Sequence, residues 1–506
     1  MLTLPPELLN AIVYELSSLE DKKNLRITSK YLNLVVGPHL FSNITIDVKR
    51  NGLGPSVSLL KVFTTRGCRA TSYVKKLTIK SLGPTMELPI ARGLDGIIRP
   101  QMLTQEELDA KVVAFDDMKE LLPRMLSLFV NLTTVDWTIP HHDPEWSHAL
   151  VINTISTHPS LSNLSLEFVW NYHKPHASPL NLTPFRNLKS FSLKGSFRDL
   201  EDNVLRPLRG LLKNNADLSS LSLNFTKSAL SSSADLDQFI TSWSPKSLAK
   251  SKLKHLRLGL FQGNLTPSSI SHLRSLTSLE LLDVRMVFSN IWDALHQENI
   301  YLREISVPAV NDSFLRYISS YSGIRKLHYH SLGAPIEVVD NSMADMLYDQ
   351  VLPRHAETLE DLALHSSFEG RWSVGERNLG ALQSCTELRS LGLSINRSNS
   401  GGVDTGAVDS VLHHASSQTY LRQLNLRYAL FVGPRPTNTK PTELSRALIF
   451  DFTKQIEEAV LGFACQQRES RGLQVAVHDS NYEGVYEARA DTIGVLRFAV
   501  VDGLTY

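Results

Sequence analysis

Residues 276–281 read LTSLEL, and this spacing of three leucines recurs along most of the chain. Six further strict copies begin at Leu161, Leu218, Leu253, Leu359, Leu388 and Leu421. Looser copies, in which other apolar residues replace some of the leucines, begin at Val74, Leu132, Leu188, Leu302 and Ile324. From Leu132 onward, successive copies start about 22 to 35 residues apart, which predicts a repeat architecture.

Each hexapeptide predicts a short β-strand, because its fourth and sixth residues are separated by one residue and therefore face the same side. Helical segments are predicted between copies at residues 235–243, 311–320 and 342–351, and Asn311 or Asp312 can cap the second of them. One strand and one helix cannot bury an apolar face alone, so neighbouring units are expected to stack. The expected fold class is α/β, with a parallel sheet on one face and helices on the other.

The hexapeptide and its period resemble those of leucine-rich repeats. The resemblance implies a solenoid with the parallel sheet on its concave face and the helices on its convex face. The asparagine or cysteine expected three residues after the last leucine is nearly absent and is met only by Asn396, so an irregular solenoid is expected. The alternative is an ordinary compact α/β protein with amphipathic strands.

The first 46 residues lack the repeat and predict three short helices. Thr3 can cap a first helix that has prolines in its first turn. The apolar residues of this helix are expected on one face: Leu8, Leu9, Ile12, Val13 and Leu16. The apolar series continues at Leu19, Leu25, Leu32 and Leu34. So small a segment is expected to bury its leucines against another surface.

This segment resembles an F-box. The match lies in LPPELLNAI from Leu4, LEDKKNLRITSKYL from Leu19 and HLFSNITI from His39, and it covers about a tenth of the chain. Phe41 stands where the family often has tryptophan. The resemblance implies that the segment binds a Skp adaptor, and through it a cullin-RING ligase, with Leu4, Pro5, Leu8, Leu9, Ile12, Leu16, Leu19 and Leu25. The alternative is that these residues pack only against one another, as the core of the helical segment.

The order of an F-box followed by irregular leucine-rich repeats is similar to that of many fungal F-box proteins. We therefore expect an F-box-like module at residues 1–46, a solenoid at 47–440 with an inserted segment at about 83–128, and a capping helix and strands at 441–506. The function that the resemblance implies is substrate recognition for a Skp–cullin–F-box (SCF) ubiquitin ligase, without catalysis. The alternatives are a non-degradative interaction scaffold and an enzyme hidden in the repeats.

Strand residues between the buried leucines are expected to face outward and to contact a protein target. Those that form a basic, histidine-rich patch are His255, Arg257, Lys326, His328, His330 and His365, with Glu280, Glu304 and Asp361 among them. Such a patch is suited to an acidic or phosphorylated target. The main alternative is an ordinary solvated sheet face, and zinc at His328 and His330 is a remote one.

The composition excludes several other classes of function. Lys plus Arg is 52 and Asp plus Glu is 51, so no global charge favours nucleic acid or anionic lipid. The three cysteines, Cys68, Cys385 and Cys465, form no CxxC pair, which argues against structural zinc and a secreted disulfide framework. No phosphate-binding loop, metalloprotease or nucleophile-elbow motif is present, and no cofactor is expected. Without a signal-peptide pattern, the cytoplasm, the nucleus or both are expected.

Overall fold

The structure is a computed structural model, and its contacts divide the chain into two compact units. Unit 1 comprises Met1–Leu253 and Leu258–Leu260, and unit 2 comprises Lys254–Arg257 and Phe261–Tyr506. The structure describes residues 4–16, 18–83, 90–92, 98–100, 104–169, 180–197, 201–225, 234–241, 252–259, 261–282, 289–330, 341–366, 370–398, 402–429, 443–466, 472–478, 483–490 and 495–501.

The main feature of unit 1 is a parallel sheet of six strands. Its strands, in the order in which they pair, are β1 (Asn43–Asp47), β2 (Lys76–Ser81), β5 (Thr134–Pro140), β6 (Asn163–Val169), β7 (Ser190–Gly195) and β8 (Ser220–Phe225). A separate antiparallel pair joins β3 (Ile90–Arg92) to β4 (Ile98–Pro100), and β9 is Ala234–Asp235.

Of the described helices of unit 1, three precede β1, and the others lie between or after the strands. They are α1 (Pro6–Glu15), α2 (Leu19–Thr28), α3 (Lys30–Phe41), α4 (Val48–Asn51), α5 (Leu53–Thr64), α6 (Gln105–Ser127), α7 (Glu145–Ile155), α8 (Arg206–Asn214) and α9 (Leu236–Thr241). Shorter helical turns occupy Arg69–Tyr73 and Glu201–Leu205. The helix predicted at residues 235–243 is α9, and residues 242 and 243 lie outside the described part of the chain.

Unit 2 also contains a run of parallel strands. After β10 (His255–Leu258), at the boundary between the units, the run continues with β12 (Ser278–Leu281), β13 (Glu304–Val307), β14 (Lys326–His330), β15 (Asp361–His365), β16 (Ser390–Ile395) and β17 (Gln423–Tyr428). The two-residue strand β11 (Phe261–Gln262) lies outside this run. Strands β12 to β17 pair successively and in parallel. The run ends in β18 (Ala464–Gln466), β19 (Gln474–His478), β20 (Glu483–Ala490) and β21 (Val495–Val500).

The last strands of unit 2 change the direction of the sheet. Strand β19 is parallel to β17, whereas β20 is antiparallel to β19, and β21 is antiparallel to both β20 and β18. The helices of unit 2 are α10 (Pro267–Ile270), α11 (Ile291–Gln297), α12 (Asp312–Ser319), α13 (Asn341–Met346), α14 (Leu352–His355), α15 (Glu376–Gln383), α16 (Thr405–Ser417) and α17 (Glu443–Gly462), with shorter turns at Ser271–Leu273 and Leu347–Val351. As expected, the Asn311 side chain caps α12 by accepting the amide of Phe314 at 2.9 Å.

Every hexapeptide that the sequence singled out carries a strand that begins at its third residue. Its fourth and sixth residues are buried, as Leu391 and Leu393 are in β16. A backbone carbonyl just before each strand aligns that strand with the strand of the next copy. Arg325 O, for example, accepts the amides of Glu360 at 2.8 Å and Asp361 at 3.0 Å. The same pattern, one carbonyl accepting two successive amides, recurs along the parallel strands of both units. The α/β class and the parallel strands are thus confirmed.

Strand β1 was not predicted, because it lies in the segment that the sequence assigned to helices. Ile44 pairs with Leu77 and Ile46 with Ile79, so the alternating apolar residues of NITID join the sheet. In both units, none of the described helices is long and apolar enough to cross a membrane.

Candidate functional site

The first candidate site is an apolar surface on α1 and α2. Leu8 exposes 53% of its surface and Ile12 exposes 48%; they are four residues apart and so lie on one face of α1. Leu19, at the start of α2, exposes 58%. Exposed large apolar residues on a small helical module are candidates for contact with another protein. We call Leu4, Leu8, Ile12 and Leu19 the apolar patch.

The three N-terminal helices also have a core of their own. Leu9 and Val13 from α1 pack with Leu32, Val35 and Val36 from α3, and Leu25 packs against them. Helix α2 is capped by Ser18, which accepts the amide of Asp21, and α3 by Ser29, which accepts that of Leu32. The core therefore holds the helices together without using the apolar patch.

The predicted adaptor-binding residues fall into two groups. Leu4, Pro5, Leu8, Ile12 and Leu19 are exposed, Leu16 and Leu25 are half-buried, and Leu9 is buried. The apolar residues of α1 are divided between burial and exposure, because Leu9 and Val13 pack against α3 whereas Leu8 and Ile12 remain exposed. Thr3, the predicted cap, lies outside the described residues, and Pro5 occupies the N-cap position instead. Leu34, which the sequence placed in the apolar series, is exposed, and so are Tyr14 and Ile27, which it did not single out.

The second candidate site is a pair of stacked histidines on the outward face of unit 2. His330 in β14 and His365 in β15 are in register, and their rings lie 5.2 Å apart between centroids with an interplanar angle of 15°. His328 meets His330 edge-on, with centroids 5.3 Å apart. The period of two residues in β14 places both of these rings on the same side. We call His330 and His365 the histidine pair.

A small side chain on the next strand makes room for the histidine pair. Gly392 in β16 pairs with Ala363 in β15, on the outward face. A methyl group at Gly392 would lie 2.7 Å from His365 Nε2, so only glycine leaves the ring in its place. His365 exposes 9% of its surface, and its Nδ1 is buried without a hydrogen-bond partner. The His365 ring thus fills the space over Gly392.

Burial keeps both imidazoles of the histidine pair neutral. Desolvation, with repulsion from His328, Arg427 and Lys326, lowers the pKa of His330 to about 4. Desolvation and repulsion from Arg427 and the other histidines lower the pKa of His365 well below its ordinary value. The negative charge of Asp361 raises the pKa of His330 and so opposes part of this downward shift. A negative charge close to the histidine pair would therefore favour protonation of the rings.

The carboxylate of Asp361 is already engaged on the same face. Its Oδ1 lies 2.9 Å from His328 Nε2, and its Oδ2 lies 3.5 Å from Lys326 Nζ. Although burial raises the pKa of Asp361, the contacts with His328 and Lys326 outweigh it, and the net shift is downward. Asp361 therefore remains ionised and neutralises part of the positive charge of Lys326.

The structure brings together only some of the predicted target-binding residues. Lys326, His328, His330 and His365 are neighbours on β14 and β15. His255 and Arg257 lie on β10, and Arg257 pairs with Glu280 of β12 at 3.3 Å. Strand β13 lies between β12 and β14, so this ion pair is separate from the histidine pair. Two residues near the histidine pair, Arg427 and Gly392, were not predicted from the sequence.

Neither candidate site contains a recognisable metal centre. Within the ranges that the structure describes, no group of three or more His, Cys, Asp or Glu side chains is placed to hold a metal ion. Zinc at His328 and His330 therefore has no support from the geometry, because a structural zinc site needs four ligands.

A cavity of about 530 Å³ opens beside the loops that precede β13 to β16. Tyr301 and Tyr321 form an aromatic wall, with ring centroids 4.9 Å apart. Arg325 pairs with Glu360 in the lining at 2.5 Å. The charges of the lining are mixed and favour no one class of ligand.

The chain was also compared with known proteins. No family model matches it, and no curated protein does.

Proposed function

We propose that the chain is the substrate-recognition subunit of an SCF-type ubiquitin ligase. In this proposal α1 to α3 are an F-box that binds a Skp-type adaptor, and the adaptor links the chain to a cullin. The parallel strands and their helices are leucine-rich repeats that bind a protein target on the concave face. The protein acts in the cytoplasm, the nucleus or both.

The observation that carries the proposal is the apolar patch on a module whose sequence resembles an F-box. Leu8 and Ile12 are half-exposed although the module has a complete core through Leu9 and Val13. Leaving apolar side chains such as these in water is unfavourable by about 25 cal/mol for each Å² of apolar surface. A partner that covers the patch recovers this free energy, and the F-box resemblance implies that this partner is a Skp adaptor.

The proposed role requires binding alone. One surface of the chain holds the ligase and another holds the target, which raises the effective concentration of the target near the ubiquitin-conjugating partner. The outward residues of β14 and β15, with Lys326 and the histidine pair, are the part of the repeats that we assign to target recognition.

Co-purification from cells that express the tagged full-length chain tests this proposal. The double variant Leu8→Asp, Ile12→Asp places charges in the apolar patch without touching the core, so it is expected to lose both adaptor and cullin. Val62→Asp is the matched control, because Val62 is an exposed apolar residue on α5 outside the patch. The control is expected to retain both partners.

The other outcomes of this experiment count against the proposal. Recovery of the adaptor without a cullin would replace the ligase by a non-degradative scaffold. Equal recovery with the double variant and the wild type would show that the patch is not the binding surface. Loss of both partners in Val62→Asp would mean that any added surface charge disrupts the complex, and the patch would lose its assigned role.

A further inference from the structure

The cavity beside the loops that precede β13 to β16, here called the rim cavity, has a glycine in its lining. A methyl group on Gly323 would meet nothing within 4 Å, so the space next to this residue is open. The φ of Gly323 is +106°, a backbone conformation that residues with side chains rarely adopt. The turn therefore places a residue without a side chain in the wall of a cavity of about 530 Å³.

The aromatic wall of the rim cavity is held in place by hydrogen bonds. Buried Tyr321 donates its hydroxyl to Leu302 O at 2.9 Å. The ring of Tyr301 packs on that of Tyr321 with an interplanar angle of 33°, and its hydroxyl donates to Asn299 Oδ1 at 2.9 Å. Tyr301 nevertheless exposes 44% of its surface. An aromatic ring that is fixed in place and partly open to solvent can bind a cation or an apolar group.

Counted together, the charges of the rim cavity favour no one class of ligand, but they are not equally available to one. Arg325 and Glu360 are paired at 2.5 Å, so each largely neutralises the other. Within the described part of the chain, no ion pair or hydrogen bond engages the carboxylates of Glu357 and Glu387 or the guanidinium of Arg303. Two carboxylates and one guanidinium are thus left to a ligand, an excess of one negative charge.

We propose that the rim cavity binds a basic side chain, arginine or lysine, of the target. The proposal rests on the proposed function only in taking this side chain from a protein target. Glu357 and Glu387 pair with the bound cation, and the exposed part of Tyr301 contacts the cation and its aliphatic stem. Arginine binds more tightly than lysine, because its planar guanidinium stacks on aromatic rings and donates to carboxylates in a fixed geometry.

Arg303 makes the sign of the preferred ligand charge measurable. Its guanidinium repels a bound cation and attracts a bound anion. Arg303→Gln is therefore expected to tighten the binding of a basic side chain by about twofold to fourfold, the effect of one exposed charge. A cavity that prefers anions would bind its ligand more weakly in the same variant.

Tyrosine NMR of the full-length protein with N-acetylarginine N-methylamide tests the proposal without a target or a ligase. Both ends of this probe are capped, so its charge lies on the side chain alone. The ring signals of Tyr301 are assigned with Tyr301→Phe and followed during the titration. The probe is expected to bind with a Kd on the order of 1–10 mM, as a small ligand with few contacts does. The capped norleucine and capped glutamate probes should bind at least about tenfold more weakly.

Carboxylate substitutions locate the site. The double variant Glu357→Gln, Glu387→Gln is expected to weaken binding of the arginine probe by about fivefold to tenfold. Glu304→Gln is the matched control, because Glu304 is an exposed carboxylate of β13 that does not line the rim cavity. It is expected to leave the affinity unchanged. An unshifted signal of buried Tyr348, which lies outside the lining, shows that each variant is folded.

Each of the other results would overturn the proposal. Tyr301 signals that do not respond to the arginine probe would show that the cavity does not bind a basic side chain. Equal or tighter binding of the norleucine or glutamate probe would assign the cavity to another class of ligand. An unchanged affinity in the double variant, or an equal loss in Glu304→Gln, would remove the assigned carboxylates from the site. None of these results bears on the adaptor, whose recovery tests the proposed function separately.

Discussion

Leu8 and Leu9 are consecutive residues of α1, yet Leu8 exposes 53% of its surface and Leu9 exposes 6%. Leu9 packs with Val13 and the α3 residues, whereas Leu8 points away from that core. The two leucines therefore separate the two roles of the helix. One stabilises the module, and the other is available to a partner.

Truncating each leucine is expected to affect the stability of the module very differently. Leu9→Ala leaves a cavity in a small core and should lower the stability of the helical module by about 2–4 kcal/mol. Leu8→Ala removes atoms that are already half in water and should change it by less than about 1 kcal/mol. Hydrogen exchange of the amides in α1 and α3 measures both effects locally. Equal deprotection by the two variants would contradict the assignment of their roles.

Asp143 gives unit 1 a pH-dependent stability. Its Oδ1 accepts the amides of Leu82 at 2.8 Å and Gly83 at 2.9 Å, while burial outweighs these bonds and raises the pKa of Asp143 to about 7. The folded state thus keeps a proton that the unfolded chain has released. This stabilisation is complete below about pH 4 and is lost as the pH rises through about 7.

Asp143→Asn removes this titration. Urea denaturation measures the stability of the variant and the wild type at both pH values. At about pH 8 the variant is expected to be more stable by roughly 4 kcal/mol, and at about pH 4 the difference should shrink toward zero. Asp136→Asn is the control, because Asp136 is a half-exposed partner of Lys76 and its loss should not stabilise the protein at about pH 8. A stability change in Asp143→Asn that is the same at both pH values would exclude the titration.

Gly392 and Gly380 provide a matched pair of glycines. A methyl group at Gly392 meets the His365 ring, whereas one at Gly380 in α15 meets nothing within 4 Å. Gly392→Ala is expected to displace His365 and to lower stability by about 1–3 kcal/mol. Gly380→Ala should raise it by about 0.5–1 kcal/mol, because alanine favours a helix. Thermal unfolding measures the stability of the two variants. An NMR signal of His365 that does not shift in Gly392→Ala would argue against the close approach of residue 392 to the His365 ring.

The repeated strands were predictable because each copy carries its own local signal. In residues 388–393, Leu391 and Leu393 alternate with Gly392, and this alternation determines which side of the strand is buried. Strand β1 lacks the hexapeptide, and its pairing with β2 connects residues about 33 positions apart. Strand β20 was missed because its buried residues, Tyr486 and Ala488, form only a short alternation with one large side chain.

The candidate site was predicted only in part. The period of two residues placed His328 and His330 on one face, as observed. The partners of His365 could not be derived, because the stacking with His330 depends on the register of β14 and β15 and on the missing side chain at Gly392. Arg427 was missed for the same reason. Its strand lies two positions from β15, and only the assembled sheet brings it near the pair.

Binding of a purified Skp adaptor to the full-length chain, measured by calorimetry, tests the central claim most directly. The wild type is expected to bind, and Leu8→Ala is expected to weaken binding by about 2 kcal/mol, or about thirtyfold, while Val62→Ala binds as the wild type does. An adaptor that does not bind the wild type, or that binds Leu8→Ala with unchanged affinity, would contradict the claim that the apolar patch is an adaptor-binding surface.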